Sequence, residues 1–255
     1  NSIELIISKL KKIKKVSKII IATTKKKEDK ILSKYVVSDK VDIFFGSDSD
    51  VYSRFLEIKK LYEPDYIIRI TGDCPLLEEN LINKVLSKIK NYNYDFLSNI
   101  NPPTFPDGLD FEVFRAKIMD YIPKVLLTDY DKEHVTPLIK KVSKNFYNLK
   151  NTKDLSKVRL TLDNKNDLKN LKNISNLFTK KKYDLKSRLR YYSKLIEEKN
   201  INYRNYGSNF NYGQKLWTEA KQVIPGGNSL ISKRPDQFID NIWPCYYSKS
   251  KGIDI

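Results

Sequence analysis

Hydrophobic positions follow two different spacings along the first part of the chain. Residues 2–16, 51–62 and 77–89 carry apolar side chains three and four positions apart, which predicts helices. Between them lie short continuous apolar runs, at 18–23 (KIIIAT), 41–46 (VDIFFG) and 65–71 (DYIIRIT). Such runs are typical of strands that are buried on both faces of a parallel sheet.

The same alternation continues towards residue 180. Further strands are predicted at 94–98, 109–114, 146–149 and 158–162, and further helices at 118–121, 134–142 and 164–178. Asp163 or Asn164 is the expected N-cap of the last helix. This order predicts an α/β domain with a mostly parallel sheet and helices on both faces. Since such sheets bind ligands at the carboxyl ends of their strands, polar residues directly after strands are the candidates for chemistry.

The net charge is strongly positive, but the kind of basic residue argues against a nucleic-acid-binding protein. Lys and Arg number 48 against 31 Asp and Glu, which gives a net charge of +17. Arginine, the side chain that reads bases and phosphates best, accounts for 8 of the 48, and the lysines are spread over many predicted helices. We interpret the lysines as solvated faces and keep a basic nucleic-acid-binding protein as an alternative.

Composition also narrows the class of protein. Hydrophobic residues make up 40% of the 255 residues, enough for a packed core, which excludes a wholly disordered chain. No apolar run approaches the ~20 residues that a membrane span requires. Cys74 and Cys245 cannot form a disulfide framework, so we expect a reducing, cytoplasmic environment. Neither GxGxxG nor a Walker loop is present, which leaves NAD and P-loop ATP chemistry unsupported.

Two aspartates follow predicted strands that are distant in sequence. Asp73 lies in TGDCPL after the third strand, where Gly72 allows a tight turn and Pro75 stiffens the exit. Asp163 ends RLTLD and opens the last helix. For each aspartate alone, helix capping and metal binding are about equally well supported. Together at one sheet edge, they favour a clamp that holds Mg²⁺ on a triphosphate.

A third polar segment, GSDSD, follows the second predicted strand. Gly46 and Ser47, with Arg54 one helical turn further on, suit a contact with a base or a phosphate. An ordinary N-cap before the next helix explains the same residues. Asp48 and Asp50 also form the short DxD pattern of metal-dependent glycosyltransferases, a second alternative function.

These segments form an ordered series that resembles a known family. In order they are IIIATT, FFGSDSDVYSRF, DYIIRITGDCPL, DGLDFEVF, EHVTPLI and VRLTLDNKNDL. Over residues 2–180 they resemble the cytidylyltransferases of spore coat polysaccharide biosynthesis, which are similar to the sialic acid and Kdo cytidylyltransferases. The resemblance implies a nucleotide-diphospho-sugar transferase fold, in which a sugar hydroxyl attacks the α-phosphorus of CTP and pyrophosphate leaves.

The resemblance also implies roles for individual residues. Asp73 and Asp163 would hold Mg²⁺, and Gly46, Ser47 and Arg54 would lie near the cytidine or its phosphates.

Three further residues, Asp110, Glu112 and His134, would face the sugar pocket by the same resemblance. Two of them, Asp110 and Glu112, are also explained as outward-facing polar residues of an ordinary strand. His134 is the sole histidine, and a lone histidine is more often structural than catalytic.

The resemblance places a buried strand and a basic Gly-rich phosphate loop before the first helix of this chain. We therefore expect the domain to lack its first strand, which would lie centrally, between KIIIATT and DYIIRITG. The sheet is then expected to have a gap with two unpaired edges, and the chain as given to be inactive and prone to aggregation.

The last part of the chain carries a second resemblance. We expect a cytidylyltransferase-like domain at 1–180, a helical and linker segment at 181–213, and at 214–255 the start of a class III aminotransferase of the glutamate-1-semialdehyde type. The PGG turn and the WPCYYSKSKG run carry that match. It implies a fused enzyme whose PLP-binding lysine lies beyond residue 255. Both resembled families often form homodimers.

Overall fold

The computed structural model describes residues 2–89 and 92–197. Helices within these residues are α1 (Ser2–Lys11), α2 (Val51–Tyr62), α3 (Glu79–Ile89), α4 (Asp129–His134), α5 (Thr136–Val142), α6 (Lys165–Lys181) and α7 (Leu185–Glu197). Strands are β1 (Ile19–Thr24), β2 (Val41–Gly46), β3 (Tyr66–Arg69), β4 (Phe96–Ser98), β5 (Glu112–Arg115) and β6 (Phe146–Asn148). Short 3₁₀ helices span Glu28–Tyr35, Ala116–Tyr121 and Lys124–Leu126.

The strands form two sheets. In the smaller one, β1 and β2 are parallel. The larger one has the order β3-β5-β4-β6, in which β5 runs antiparallel to both neighbours and β4 is parallel to β6. Within this sheet β5 is thus the strand of opposite direction. The expected α/β fold, mostly parallel with helices on both faces, is confirmed.

Side chains alternate between two hydrophobic clusters on opposite faces of the larger sheet. Val113 and Leu97 belong to the cluster that contains α1, α3, α6 and α7. Their neighbours Phe114 and Phe96 belong to the other cluster, with Tyr52 of α2 and Ile139 of α5. Because successive residues of a strand point to opposite faces, this division places helices on both sides of the sheet.

The larger and smaller sheets share no strand pairing. The break lies between β1 and β3, the two strands between which the sequence predicted a gap. Among the described strands, β1 pairs with β2 alone and β3 pairs with β5 alone. All four residues of β3 are partly exposed, although its apolar sequence is that of a buried strand. Each sheet therefore presents an edge that no described strand covers. The absence of a first strand from the domain stays a prediction.

Two predicted elements differ from the structure. Residues 158–162 form no strand, because their neighbour is the proline-containing loop before β5, which offers a single bridge, Asp107 to Arg159. The helix predicted at 134–142 is divided at Val135, whose φ of 68° is left-handed and incompatible with a continuous helix. The N-cap prediction is confirmed at Asn164, whose side chain accepts from the backbone N–H of Asp167.

The last described helix, α7, lies in the segment that was predicted as helical and linker, and it packs on the core. Tyr192 is fully buried there, and the Arg188 guanidinium donates to a Glu78 carboxylate oxygen over 2.6 Å. The compact unit therefore continues past the predicted boundary at residue 180. The linker after residue 197, Cys245 and the segment 214–255 lie outside the described residues. None of the described helices is long and apolar enough to cross a membrane.

The backbone N–H groups of β3 point alternately towards β5 and away from it, which predicts different hydrogen-exchange rates for neighbouring residues. The Ala116 N–H donates to the Asp65 carbonyl over 2.9 Å, and antiparallel pairing alternates, so Ile67 and Arg69 point their backbone groups at β5. The backbone N–H of Ile68 points to the uncovered edge. We expect the Ile68 amide to exchange at least about tenfold faster than that of Ile67, measured by NMR. Equal protection of both amides would show that the edge is covered in solution.

Candidate active site

Three segments that are distant in sequence meet at one end of the larger sheet. They are the turn after β3 (71–74), the loop before β5 (106–110) and the extended segment before α6 (158–163). The Leu162 N–H donates to the Asp73 carbonyl over 2.9 Å. The Leu160 N–H donates to the Asp107 carbonyl over 2.7 Å, and the Asp107 N–H donates to the Val158 carbonyl over 2.9 Å. These backbone bonds set the relative positions of the aspartates that the segments carry.

Gly108 is required for the close approach of two of these segments. Its φ is +101°, and a Cβ added there would lie 2.6 Å from the carbonyl carbon of Leu160. The Cβ of any other residue would clash with the backbone of Leu160, and the φ required here is unfavourable for a residue with a side chain. The loop before β5 can therefore lie against residues 160–161.

Asp73 is half-buried in the turn after β3, beside a buried thiol. The Cys74 thiol donates to Asp73 Oδ1 over 3.6 Å and lies 3.2 Å from Thr71 Oγ1. Burial raises the pKa of Cys74, and the carboxylates of Asp73 and Asp110 raise it further. The thiol therefore stays protonated and is unsuited to act as a nucleophile.

Asp163 lies directly before α6 and is held by two neighbouring side chains. Its carboxylate forms an ion pair with Arg159, and its N–H donates to Asp167 Oδ2 over 2.9 Å. Asp167 is nearly buried. Burial alone would raise the pKa of Asp167, but hydrogen bonds from Arg159 and from the backbone of Asp163 and Asn164 hold it below its usual value.

The donor chemistry of this end suits a hard divalent cation shared with a substrate. In the described part of the chain, no group of three or more His, Cys, Asp or Glu side chains lies close enough to hold a metal unaided. Mg²⁺, however, is usually bound through one or two carboxylates together with substrate phosphates. Asp73 and Asp163 match that donor set.

The residues predicted to contact the nucleotide lie after β2, in the smaller sheet. Ser47 Oγ accepts from the Asp50 N–H, and Asp50 caps α2 by accepting from the Ser53 N–H over 2.8 Å. Arg54 lies under this turn and donates to the Ala22 carbonyl over 3.0 Å.

The Arg54 side chain is closely confined. A Cβ at Gly46 would come within 2.4 Å of its Cγ, so Gly46 makes room for it. Burial lowers the pKa of Arg54, and its Nε has no hydrogen-bond partner among the described residues.

The DxD alternative receives less support, because the two carboxylates have separate partners. Asp50 serves as the N-cap of α2. Asp48 forms an ion pair with Lys26 over 2.6 Å at the surface.

Glu112 is the centre of a buried ionic network rather than an open pocket residue. Its carboxylate contacts Arg69 of β3 over 2.9 Å and Lys140 of α5 over 2.8 Å, and it accepts from Thr136 Oγ1 over 2.9 Å. It is 2% exposed. The nearby His134 is half-buried, with its ring 4.2 Å from that of Tyr130 between centroids. A substrate role for either residue stays a prediction.

Sequence reasoning missed Arg159, Asp167 and the cationic partners of Glu112. Asn164 and Asp167 form a reciprocal capping box, a spacing that is visible in the sequence. The pairing of Arg69 with Glu112 depends on the β3–β5 register, which no local pattern reveals.

Comparison with known proteins identifies the family to which the chain is similar. Residues 3–210 match the family model described as cytidylyltransferase. The uncharacterized protein MJ1063 of Methanocaldococcus jannaschii is 36% identical over 225 residues, which span 86% of this chain and 88% of that protein.

Two further relatives have informative names. The spore coat polysaccharide biosynthesis protein SpsF of Bacillus subtilis is 29% identical over 161 residues, 60% of this chain and 65% of SpsF. The structure of a cytidylyltransferase from Leptospira borgpetersenii has a TM-score of 0.66 at 28% identity, and the match covers 78% of this chain and 84% of that one.

Replacement of Glu112 tests whether its network is structural. Glu112→Gln leaves two cations beside a neutral amide, so we expect the free energy of unfolding to fall by about 2 to 3 kcal/mol in urea denaturation. As a control, Lys132→Ala breaks an exposed ion pair with Asp129 and should change it by less than ~0.5 kcal/mol. A Glu112→Gln protein as stable as the wild type would contradict the structural role.

Proposed function

Because this chain belongs to the cytidylyltransferase family, we propose that it transfers CMP from CTP to a hydroxyl of a sugar or sugar acid and releases pyrophosphate. The observation that best supports the proposal is the backbone hydrogen bond from Leu162 to Asp73. It joins the segments that carry Asp73 and Asp163, which are about 90 residues apart in the sequence, at one end of the sheet.

The proposed reaction is an in-line displacement at phosphorus. The substrate hydroxyl oxygen bonds to the α-phosphorus, and the bond from that phosphorus to the oxygen bridging to the β-phosphate breaks. Pyrophosphate leaves with the electron pair, and the hydroxyl proton passes to solvent. Such transfers depend mainly on positioning and charge neutralisation.

The chain's own residues would share these tasks. Asp73 and Asp163 would hold Mg²⁺, which, when bound, supplies the positive charge that offsets the triphosphate. Gly46 and Ser47 at the end of β2, together with Arg54 of α2, would orient the nucleotide.

The second substrate would bind near the loop before β5. Asp110 lies at the end of that loop and would contact the sugar. The similarity to SpsF favours a role in the synthesis of a surface polysaccharide. The resemblance of residues 214–255 to an aminotransferase, with PLP as its cofactor, adds amino-sugar or sugar-acid synthesis as the context of that proposal.

Substitution of the two aspartates tests the proposal in the full-length protein. Asp73→Asn and Asp163→Asn should each lower CTP-dependent pyrophosphate release by about 100-fold or more, because each removes charge at the transferring phosphate. Asp48→Asn is the matched control and should change the rate by less than about threefold, since Asp48 contacts Lys26 at the surface. The reverse ranking would favour the DxD glycosyltransferase.

A further inference from the structure

The guanidinium of Arg159 lies between two carboxylates of unequal exposure. Its Nε lies 3.4 Å from Asp167 Oδ1 and its Nη2 lies 3.2 Å from Asp167 Oδ2, so both of its bonds to Asp167 use the planar fork. The same Nη2 also donates to Asp163 Oδ2. The side chains of Arg159 and Asp167 are 15% and 9% exposed, whereas that of Asp163 is 51% exposed. The guanidinium is thus held by Asp167, the more buried of the two carboxylates.

Asp167 also fixes the backbone of the residue that it helps to orient. Its Oδ2 accepts from the N–H of Asp163 over 2.9 Å and from that of Asn164 over 3.1 Å. On the other side, the Leu162 N–H is bonded to the Asp73 carbonyl. The main chain at Asp163 is therefore held from both directions, and its carboxylate is held by Arg159.

We propose that Arg159 and Asp167 act as a positioning pair, which aims the Asp163 carboxylate at a divalent cation. The inference rests on the proposed function, because it assumes that Asp163 is a metal ligand. Arg159 contacts Asp163 through Oδ2, at the solvent-exposed end of the network. Partners that orient metal-binding carboxylates from behind typically change metal affinity by about 10- to 100-fold when they are removed.

A purely electrostatic role for Arg159 predicts the opposite result. A cation beside a metal site repels the metal, so its removal would strengthen metal binding. A positioning role predicts weaker binding, because the ligand loses its orientation. For Arg159→Lys, which keeps the charge, an electrostatic role therefore predicts unchanged metal affinity, whereas a positioning role predicts weaker binding.

Mn²⁺ is a suitable probe, because free Mn²⁺ can be counted by electron paramagnetic resonance in the presence of CTP without turnover. Arg159→Lys keeps the charge and the stem but loses the fork. Asp167→Asn removes the charge to which the fork is anchored. We expect each variant to raise the dissociation constant of Mn²⁺ by about tenfold, and the double variant to be little worse than either alone. Lys132→Ala is the control and should bind Mn²⁺ like the wild type.

If Asp167→Asn fails to fold, the Mn²⁺ affinity of Arg159→Lys still tests the proposal. Wild-type or tighter Mn²⁺ binding by Arg159→Lys, alongside weakened binding by Asp163→Asn, would overturn the positioning role and leave the proposed metal site intact. Unchanged Mn²⁺ binding by both Asp73→Asn and Asp163→Asn would overturn the proposed metal site and the positioning pair together.

Discussion

The two sheets are joined by side chains of α1 and α2, and the arrangement of the candidate site depends on that joint. On one face, Ile6 and Leu10 of α1 share a cluster with Ile19 of β1 and Val113 of β5. On the opposite face, Tyr52 of α2 packs with the aromatic side chains of the larger sheet. Each fully buried aliphatic or aromatic side chain contributes about 1.5 to 3 kcal/mol through burial. Helix packing thus supplies what hydrogen bonds between strands would supply in a continuous sheet.

The same joint determines how the nucleotide and metal candidates lie relative to each other. Gly46 ends β2 of the smaller sheet and Arg54 lies on α2, whereas Asp73 lies in the turn after β3 of the larger sheet. The start of α1 contacts the turn that carries Asp73, because Ser2 Oγ donates to the Gly72 carbonyl over 2.5 Å. Lys9 of the same helix donates to the Leu77 carbonyl over 2.5 Å. A rotation of α1 would therefore move the turn that carries Asp73.

Buried charges hold other distant elements in register. Glu78, before α3, accepts from Arg188 of α7, and Lys9 of α1 lies close enough to affect it electrostatically. Burial raises the pKa of Glu78 in spite of Arg188, and burial lowers the pKa of Lys9. Each charge is tolerated because the others compensate it, so the cluster specifies one packing of three helices more than it adds stability.

The sequence predicted the elements that have local signals and missed the contacts between them. Continuous apolar runs identified β1, β2 and β3, although most residues of these strands are only partly buried in the structure. Residues 158–162 carry the same signal but meet a proline-containing loop, so burial is kept and strand pairing is lost. A joint metal site of Asp73 and Asp163 was predicted from their places after strands. A backbone hydrogen bond joins their segments, and the metal site itself stays a prediction. Arg159 was missed, because its contact with Asp163 and Asp167 depends on how the chain turns into α6.

The local charge of the site contrasts with that of the whole molecule. The chain carries a net charge of +17, yet three segments that carry Asp73, Asp110 and Asp163 meet at one end of the sheet. A basic surface attracts a triphosphate from a distance, whereas a metal bound to that triphosphate requires carboxylates at short range. The Arg159 guanidinium contacts both Asp163 and Asp167, so it limits the repulsion between these two carboxylates. The Asp163 side chain stays exposed at the surface. Under the proposed function, a few carboxylates within a positively charged protein are the charge distribution that a metal-bound nucleotide needs.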